Sequence, residues 1–345
     1  MEVERDKLIN ELRTVEVGVA PKKTVEQSDC FVFRKGEVMT YNDEVACHTD
    51  CSLSITGAIH AETMLRMLMK WPEKTITFKR AAGQLKFKGK GRRGHFKTED
   101  KITLPIQDVE TPKKWQEIPK GFIDAITQVS GCYKRSAESP HLCCINFTPK
   151  WIEACDGAQA GRCVMATPFK SPTLLKGSAV KQITALYMTH IGFTDNWVHF
   201  KAAGIWSEAE LVISCHVYID EYPSDDLTAI FKTKASPATL PAGLKEMVDR
   251  LTVFADTDAS QWLEVEVTAD YVKVTGQGSQ GSQTERKKIK YEGKPVGFRI
   301  NPQLLRELTD KNDKCSISDK VIKVQKGAFE YITSVWVPIV EEEKE

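Results

Sequence analysis

Residues Ile76–Gly83 read ITFKRAAG and residues Val198–Gly204 read VHFKAAG; each is a short β-rich run closing on lysine, alanine and glycine, and the two lie about one third of the chain apart. Self-similarity at a fixed spacing decides an architecture before any single motif does. Ahead of each run stands an amphipathic helix pattern, Met64, Leu65 and Leu68 before the first and Val180, Ile183 and Tyr187 before the second, spaced to share one helical face. A third copy is read in Asn301–Asn312, with Leu304, Leu305 and Leu308, followed by the strand-like Val321–Val324. Each third also opens on a helix of its own. Leu8, Ile9 and Leu12 mark the first, Phe122, Ile123, Ile126 and Val129 behind Pro119 the second, and Leu244, Met247, Val248 and Leu251 behind Pro241 the third. Shared over three units, the 345 residues give 115 each. The expectation is an α+β chain of three tandem similar domains, 1–112, 113–228 and 229–345, with joints near Thr111-Pro112 and near Thr228.

A composition of 41% hydrophobic and 28% charged residues excludes disordered and fibrous classes. Lys and Arg number 48 against 47 Asp and Glu, so any affinity for nucleic acid must come from where charge is placed and not from its total. The first 14 residues carry no apolar leader and no apolar run approaches membrane-spanning length. A soluble, cytoplasmic chain with no membrane contact is expected. Ten cysteines in a leaderless chain of this size read as free thiols. Cys47-His48-x-x-Cys51 lacks a second ligand pair at zinc spacing, so no metal is expected. The vicinal Cys143-Cys144 places one thiol inward and one outward on a strand. No nucleotide loop, serine-hydrolase elbow or zinc-protease string occurs, and no cofactor or catalytic residue is assigned. A DNA-metabolism enzyme with a dispersed active site is the alternative, because such a site leaves no local motif. A sequence-reading DNA-binding protein would need a recognition helix or zinc module, and neither is present.

Lys86, Lys88, Lys90, Arg92, Arg93, His95 and Lys97, interleaved with Gly89, Gly91 and Gly94, read as a hairpin with a flexible, positive tip. At 100° per residue, Lys7, Arg66, Lys70, Lys120 and Arg306 fall away from the apolar helix stripes. A solvated polar face accounts for each of these alone. Together with Lys90, Arg92 and Arg93 they are the candidates for phosphate contact.

Several segments, in order, resemble the bacterial DNA polymerase III beta subunit, the beta sliding clamp. VERDKLINELRTV, residues 3–15, is similar to its opening helix, and IEACDGAQAGRCVMA, residues 152–166, to its strand ending Ala-Thr-Asp-Gly. Tyr222-Pro223 stands at its Phe-Pro-Asp-Tyr turn, GFRINPQLLRELTD at the entry to its last helix, and YITSVWVPIV at its terminal strand. The resemblance implies a head-to-tail homodimer forming a ring around double-stranded DNA, helices lining a channel and sheets outside. Such a clamp tethers the polymerase and is placed by a clamp loader. Attachment then comes from topology, with only weak, sequence-independent phosphate attraction. By the same resemblance Phe96 would meet Val253 and Phe254 across the dimer interface. The peptide-binding pocket would comprise Leu142, Cys155, Gly157, Ala158, Gln159, Ala160, Tyr222, Pro223, Val335, Val337, Pro338 and Ile339. Where the family usually continues His-Arg-Leu after Asp-Gly, this chain has Ala158, Gln159 and Ala160, and Val337 and Ile339 replace its methionines. Both changes imply a wider apolar site that has lost a guanidinium and favours a larger aromatic anchor. With the near-neutral charge, they mark a divergent relative, as a bacteriophage-encoded clamp working in a host cytoplasm would be.

Overall fold

The six apolar stripes become six helices in the computed structural model, which describes residues 1–23, 25–136, 138–203, 210–255 and 261–336. These are α1 (Arg5–Val15), α2 (Ala61–Lys70), α3 (Phe122–Val129), α4 (Gly177–Ala185), α6 (Leu244–Leu251) and α7 (Pro302–Lys311). Leu8, Leu12, Met64, Leu68, Ile126, Ile183, Met247 and Leu308 are wholly buried on them. Each such side chain contributes about 1.5–3 kcal/mol by leaving water. Asn301 caps α7 by accepting from the Gln303 N–H at 2.8 Å, and Pro302 occupies the first turn, where no backbone donor is needed. One stripe residue is misplaced: Tyr187 lies beyond the end of α4, with φ +46° and 76% exposed, because the chain has already left the helix at Leu186.

A further helix, α5 (Ser224–Phe231), was not anticipated. Its signals are Pro223 at the cap, Asp225 and Asp226 in the first turn, and buried Leu227 and Phe231 one turn apart. Thr228 lies inside it.

Among the described residues the order of elements repeats three times: a short strand, a helix, four strands, a helix, three strands. The last third adds a two-residue strand, Lys290–Tyr291. In the first third, Cys30–Arg34 pairs with both Glu37–Tyr41 and Thr56–His60, and Val45–Asp50 pairs with Glu37–Tyr41. The last third repeats that pattern with Leu263–Val267 between Tyr271–Gly278 and Val296–Ile300, and Gly281–Lys288 beyond Tyr271–Gly278. In every third the short opening strand pairs with the first strand after the second helix: Glu2–Glu4 with Thr75–Ala81, Trp115–Glu117 with His190–Phe193, and Ser236–Thr239 with Lys314–Ile317.

The two strings that revealed the repeat are not equivalent within it. ITFKRAAG forms the first strand after α2, Thr75–Ala81, whereas VHFKAAG contributes to Trp197–Ala203, the second strand after α4. Their likeness comes from what any half-buried strand running into a turn demands. The periodicity is carried by the elements.

Two compact units result, one of residues 1–127 and 168–219, the other of 128–167 and 220–345. In the first, Val212–Cys215 of the strand Glu210–Tyr218 pairs with Val45–His48. In the second, Phe329–Thr333 pairs with Gln159–Cys163, Ala160 opposite Ile332. No described helix is long and apolar enough to cross a membrane. No disulfide joins any of the ten cysteines, and nine of them are buried.

Candidate functional site

The second unit gathers most of the expected pocket residues. The strand Trp151–Cys155 turns through Asp156 and Gly157 into Gln159–Val164. Gly157 has φ +91°, a backbone region that side chains disfavour, and Asp156 Oδ1 accepts the Ala158 and Gln159 N–H groups at 2.8 and 2.9 Å. The turn thereby delivers Ala158 and Gln159 to the last described strand. Ser334 donates its N–H and its hydroxyl to the Ala158 carbonyl at 2.8 and 2.9 Å, and the Tyr331 hydroxyl donates to Gln159 Oε1 at 2.7 Å.

Beneath this seam Cys155, Ala160, Leu227, Phe231, Val321 and Ile332 form one apolar cluster, with Leu142 and Tyr222 packed on it and half exposed. The Tyr222 hydroxyl donates to the Cys155 sulfur at 3.4 Å. Burial pushes the Tyr222 phenol and the Cys155 thiol up from their ordinary values, so both groups stay protonated and neutral near pH 7. The His141 ring stands edge-on to Tyr222 at 6.4 Å, and Asp220 lies 3.5 Å from His141. Leu142 and Tyr222 leave an apolar margin of this cluster at the surface. The arrangement offers no nucleophile with an adjacent base.

Of the expected pocket wall, Cys155, Ala160 and Val335 are buried, Leu142, Gln159, Tyr222 and Pro223 are half-buried, and Gly157 and Ala158 are exposed. Ala160, at 2% exposure, belongs to the buried cluster with Leu227 and Ile332 and meets almost no solvent. Val337, Pro338 and Ile339 lie outside the described residues.

Sequence reading missed what fixes the cluster. Glu153, wholly buried, accepts Nε and Nη2 of Arg162 at 2.8 and 2.6 Å, and its other oxygen accepts from Ser224 at 2.6 Å and from Asn146 at 2.9 Å. Arg162 also donates to the Thr228 hydroxyl at 3.0 Å and lies between the rings of Trp151 and Phe231, 4.6 and 4.8 Å from their centres. The network ties α5 to the sheet, and so sets Leu227 and Phe231 in the cluster. Glu153 and Arg162 stand opposite each other on antiparallel strands, and a spacing of nine along the chain carries no sign of that.

The basic candidates separate in space. Lys7, Arg66 and Lys70 are exposed on α1 and α2, and Arg66 pairs with Glu62 one turn back at 3.1 Å. Arg306 pairs with Asp249 at 3.3 Å and Lys245 with Asp310 at 3.0 Å, which binds α6 and α7 as an antiparallel pair and occupies Arg306. Lys120 is not on a helix face; it lies in the turn before α3. Gln84–Gly89 and Arg92–Lys97 form the expected hairpin about Lys90-Gly91, with Gly91 at φ +70°. Lys90 and Arg93 are exposed, while Arg92 turns to Glu73.

Phe96 is not the exposed apolar residue expected. It is 5% exposed, on the inward face of its strand, with its ring 4.9 Å from Phe87. Val253 is 78% exposed and Phe254 half-buried, its ring beside Gly281.

No family model and no curated protein matches the sequence. Solved structures do. A DNA polymerase sliding clamp from Pseudomonas aeruginosa is 12% identical, with a TM-score of 0.82 over 98% of this chain and 99% of that one. The DNA polymerase III beta subunit of Thermotoga maritima is 13% identical, with a TM-score of 0.80 over 97% and 98%. The Bacillus subtilis sliding clamp is 11% identical, with a TM-score of 0.80 over 97% and 98%. Over nearly its whole length, this chain has the fold of the DNA polymerase III beta sliding clamp.

Proposed function

We propose that this chain is a DNA sliding clamp: a replication processivity factor without catalysis of its own, closing as a head-to-tail homodimer around duplex DNA. The observation that carries the reading is a pairing left incomplete. The last strand of the second third pairs with Val45–Asp50, the third of the four strands between the helices of the first, and the last strand of the final third pairs with Gln159–Val164, its counterpart in the second. By the same rule Arg92–Lys97 and Gly281–Lys288 should pair with one another, yet among the described residues each has a strand neighbour on one side only. Two copies joined head to tail satisfy both edges at once. Three domains, 1–112, 113–228 and 229–345, taken twice then give six-fold pseudo-symmetry. Val253 and Phe254, at the end of α6 beside Gly281, stand at that joint.

In this reading the Leu142–Tyr222 margin receives a short apolar segment of the polymerase or of the clamp loader. Val335, Val337, Pro338 and Ile339 complete the site, and the alanines leave room for a large aromatic anchor. Lys7, Arg66 and Lys70 supply weak phosphate attraction.

The decisive experiment ligates linear duplex into a circle in the presence of protein. The expected result is protein of twice the 38.8 kDa chain mass that survives a high-salt wash on the circle and is released by one double-strand cut. A monomer, or release that does not depend on cutting, would remove the ring.

A further inference from the structure

The strands Thr75–Ala81, Gln84–Gly89 and Arg92–Lys97 have two different faces. Ile76, Phe78, Leu85 and Phe96 are buried on one. The other exposes Lys79, Lys86, Lys88, Arg93, His95 and Lys97. The register sets these side by side: Lys79 opposite Lys86, Lys88 opposite Arg93, and Lys86 opposite His95. Directly opposed residues on neighbouring strands hold their Cβ atoms about 5 Å apart, and like charges placed so are destabilising. None of the five lysine and arginine side chains has an ion-pair partner among the described residues, in contrast to Arg80 and Arg92, which hold Asp100 and Glu73. The acids nearest in register are Glu2 and Glu4, on the far edge strand opposite Thr77 and Thr75.

From this register we infer that the exposed face of the Thr75–Lys97 sheet is a binding surface for the phosphate backbone of duplex DNA. It works by charge at equilibrium, separately from encirclement, and does not rest on the clamp reading. Alternate residues along a strand are about 6.8 Å apart and strands about 4.8 Å apart, so the cations form a lattice that spans several phosphates. Apart from the His95 imidazole the face presents no aromatic ring, and a single small ring offers little stacking platform for unpaired bases, which favours duplex over single strands. Contact through phosphates alone carries no sequence preference.

The test uses the full chain and a blunt linear duplex of about 20 base pairs, followed by fluorescence anisotropy across a salt series. Such a short duplex escapes a ring, so failure here and failure of the clamp reading are distinguishable. Replacing Lys79, Lys86 and Lys88 together with glutamine should weaken binding by tenfold or more at low salt and flatten the log–log salt slope by about 2 to 3. Lys273→Gln, which removes a cation of the other compact unit that is paired with Glu266, should bind within about twofold of the parent. The triple variant should melt no lower than the parent, since it loses like-charge pairs, and this keeps a loss of binding from being a loss of fold. Unchanged affinity and slope in the triple variant would overturn the assignment. So would tighter binding of a single strand of equal length, or of a decaglutamate peptide, the latter marking the face as a dock for an acidic protein segment.

Discussion

Two seams in this molecule are built on one backbone plan and filled with different chemistry. In the first unit, Val45–His48 receives Val212–Cys215; in the second, Gln159–Cys163 receives Phe329–Thr333. The first seam is closed by aromatic and imidazole rings. Tyr41 and Trp197 lie 6.1 Å apart, Trp197 and His216 4.7 Å, and the buried His199 bonds only hydroxyls, Ser214 at 2.8 Å and Thr194 at 3.1 Å. The second is held by a buried ion pair under an apolar cluster whose margin, Leu142 and Tyr222, stays half open. Hydrogen-bonded strands supply the joint in both cases. Whether a joint can also bind a ligand is decided by the side chains that fill it.

The sharpest way to break the comparison is Arg162→Ala, which strands the Glu153 carboxylate in the interior. A loss of about 3–5 kcal/mol, read from the urea midpoint, is expected, and a Glu153→Leu/Arg162→Met double variant should regain most of it. A loss below about 1 kcal/mol would mean that α5 is held by its apolar contacts alone.

Acid should act on the other seam. Burial, reinforced by the nearby His48, depresses His199 from 6.5 to about 4. The folded protein thus resists a proton that the unfolded chain accepts. Stability from this group is present in full above pH 6.5 and is lost as pH falls from 6.5 toward 4, by about 3 kcal/mol. His199→Gln should flatten that stretch of the stability curve; an unchanged acid limb would assign it elsewhere.

Ligand binding should divide the seams at a smaller scale. Tyr222→Ala is expected to weaken a short peptide with a tryptophan anchor about tenfold, near 1.4 kcal/mol, measured by calorimetry. Tyr41→Ala should leave that affinity untouched. Equal effects from both would spread the binding site beyond the second seam. Least of all, Arg306→Gln removes one exposed pair from the α6–α7 contact and should cost under about 1 kcal/mol.

The apolar stripes of six helices were legible because each repeats leucine-like residues on one face for two turns or more. Helix α5 escaped notice because its stripe is only Leu227 and Phe231, and its acidic first turn resembles a loop. Tyr187 falls on the period but past the helix end, and Phe96, expected at an interface, is turned inward beside Phe87 by strand alternation. Those errors share a cause: pattern gives the face, while the ends and neighbours belong to the tertiary fold. The expectation of an apolar site came through likeness to a family. The Glu153–Arg162 pair beneath it depends on strand register, which a single chain does not spell out.

The strands Arg92–Lys97 and Gly281–Lys288, each with a strand neighbour on one side only among the described residues, bear on how a free copy behaves. An open strand edge is a template for indiscriminate stacking into filaments. Here one edge carries Arg92, Arg93 and Lys97 and the other Arg286, Lys287 and Lys288, so equal edges repel when they meet. The same repulsion opposes the proposed joint between the two edges, so the cations act as gatekeepers against stacking of free copies through either edge and leave that joint to form only where strand hydrogen bonds and apolar contact offset it.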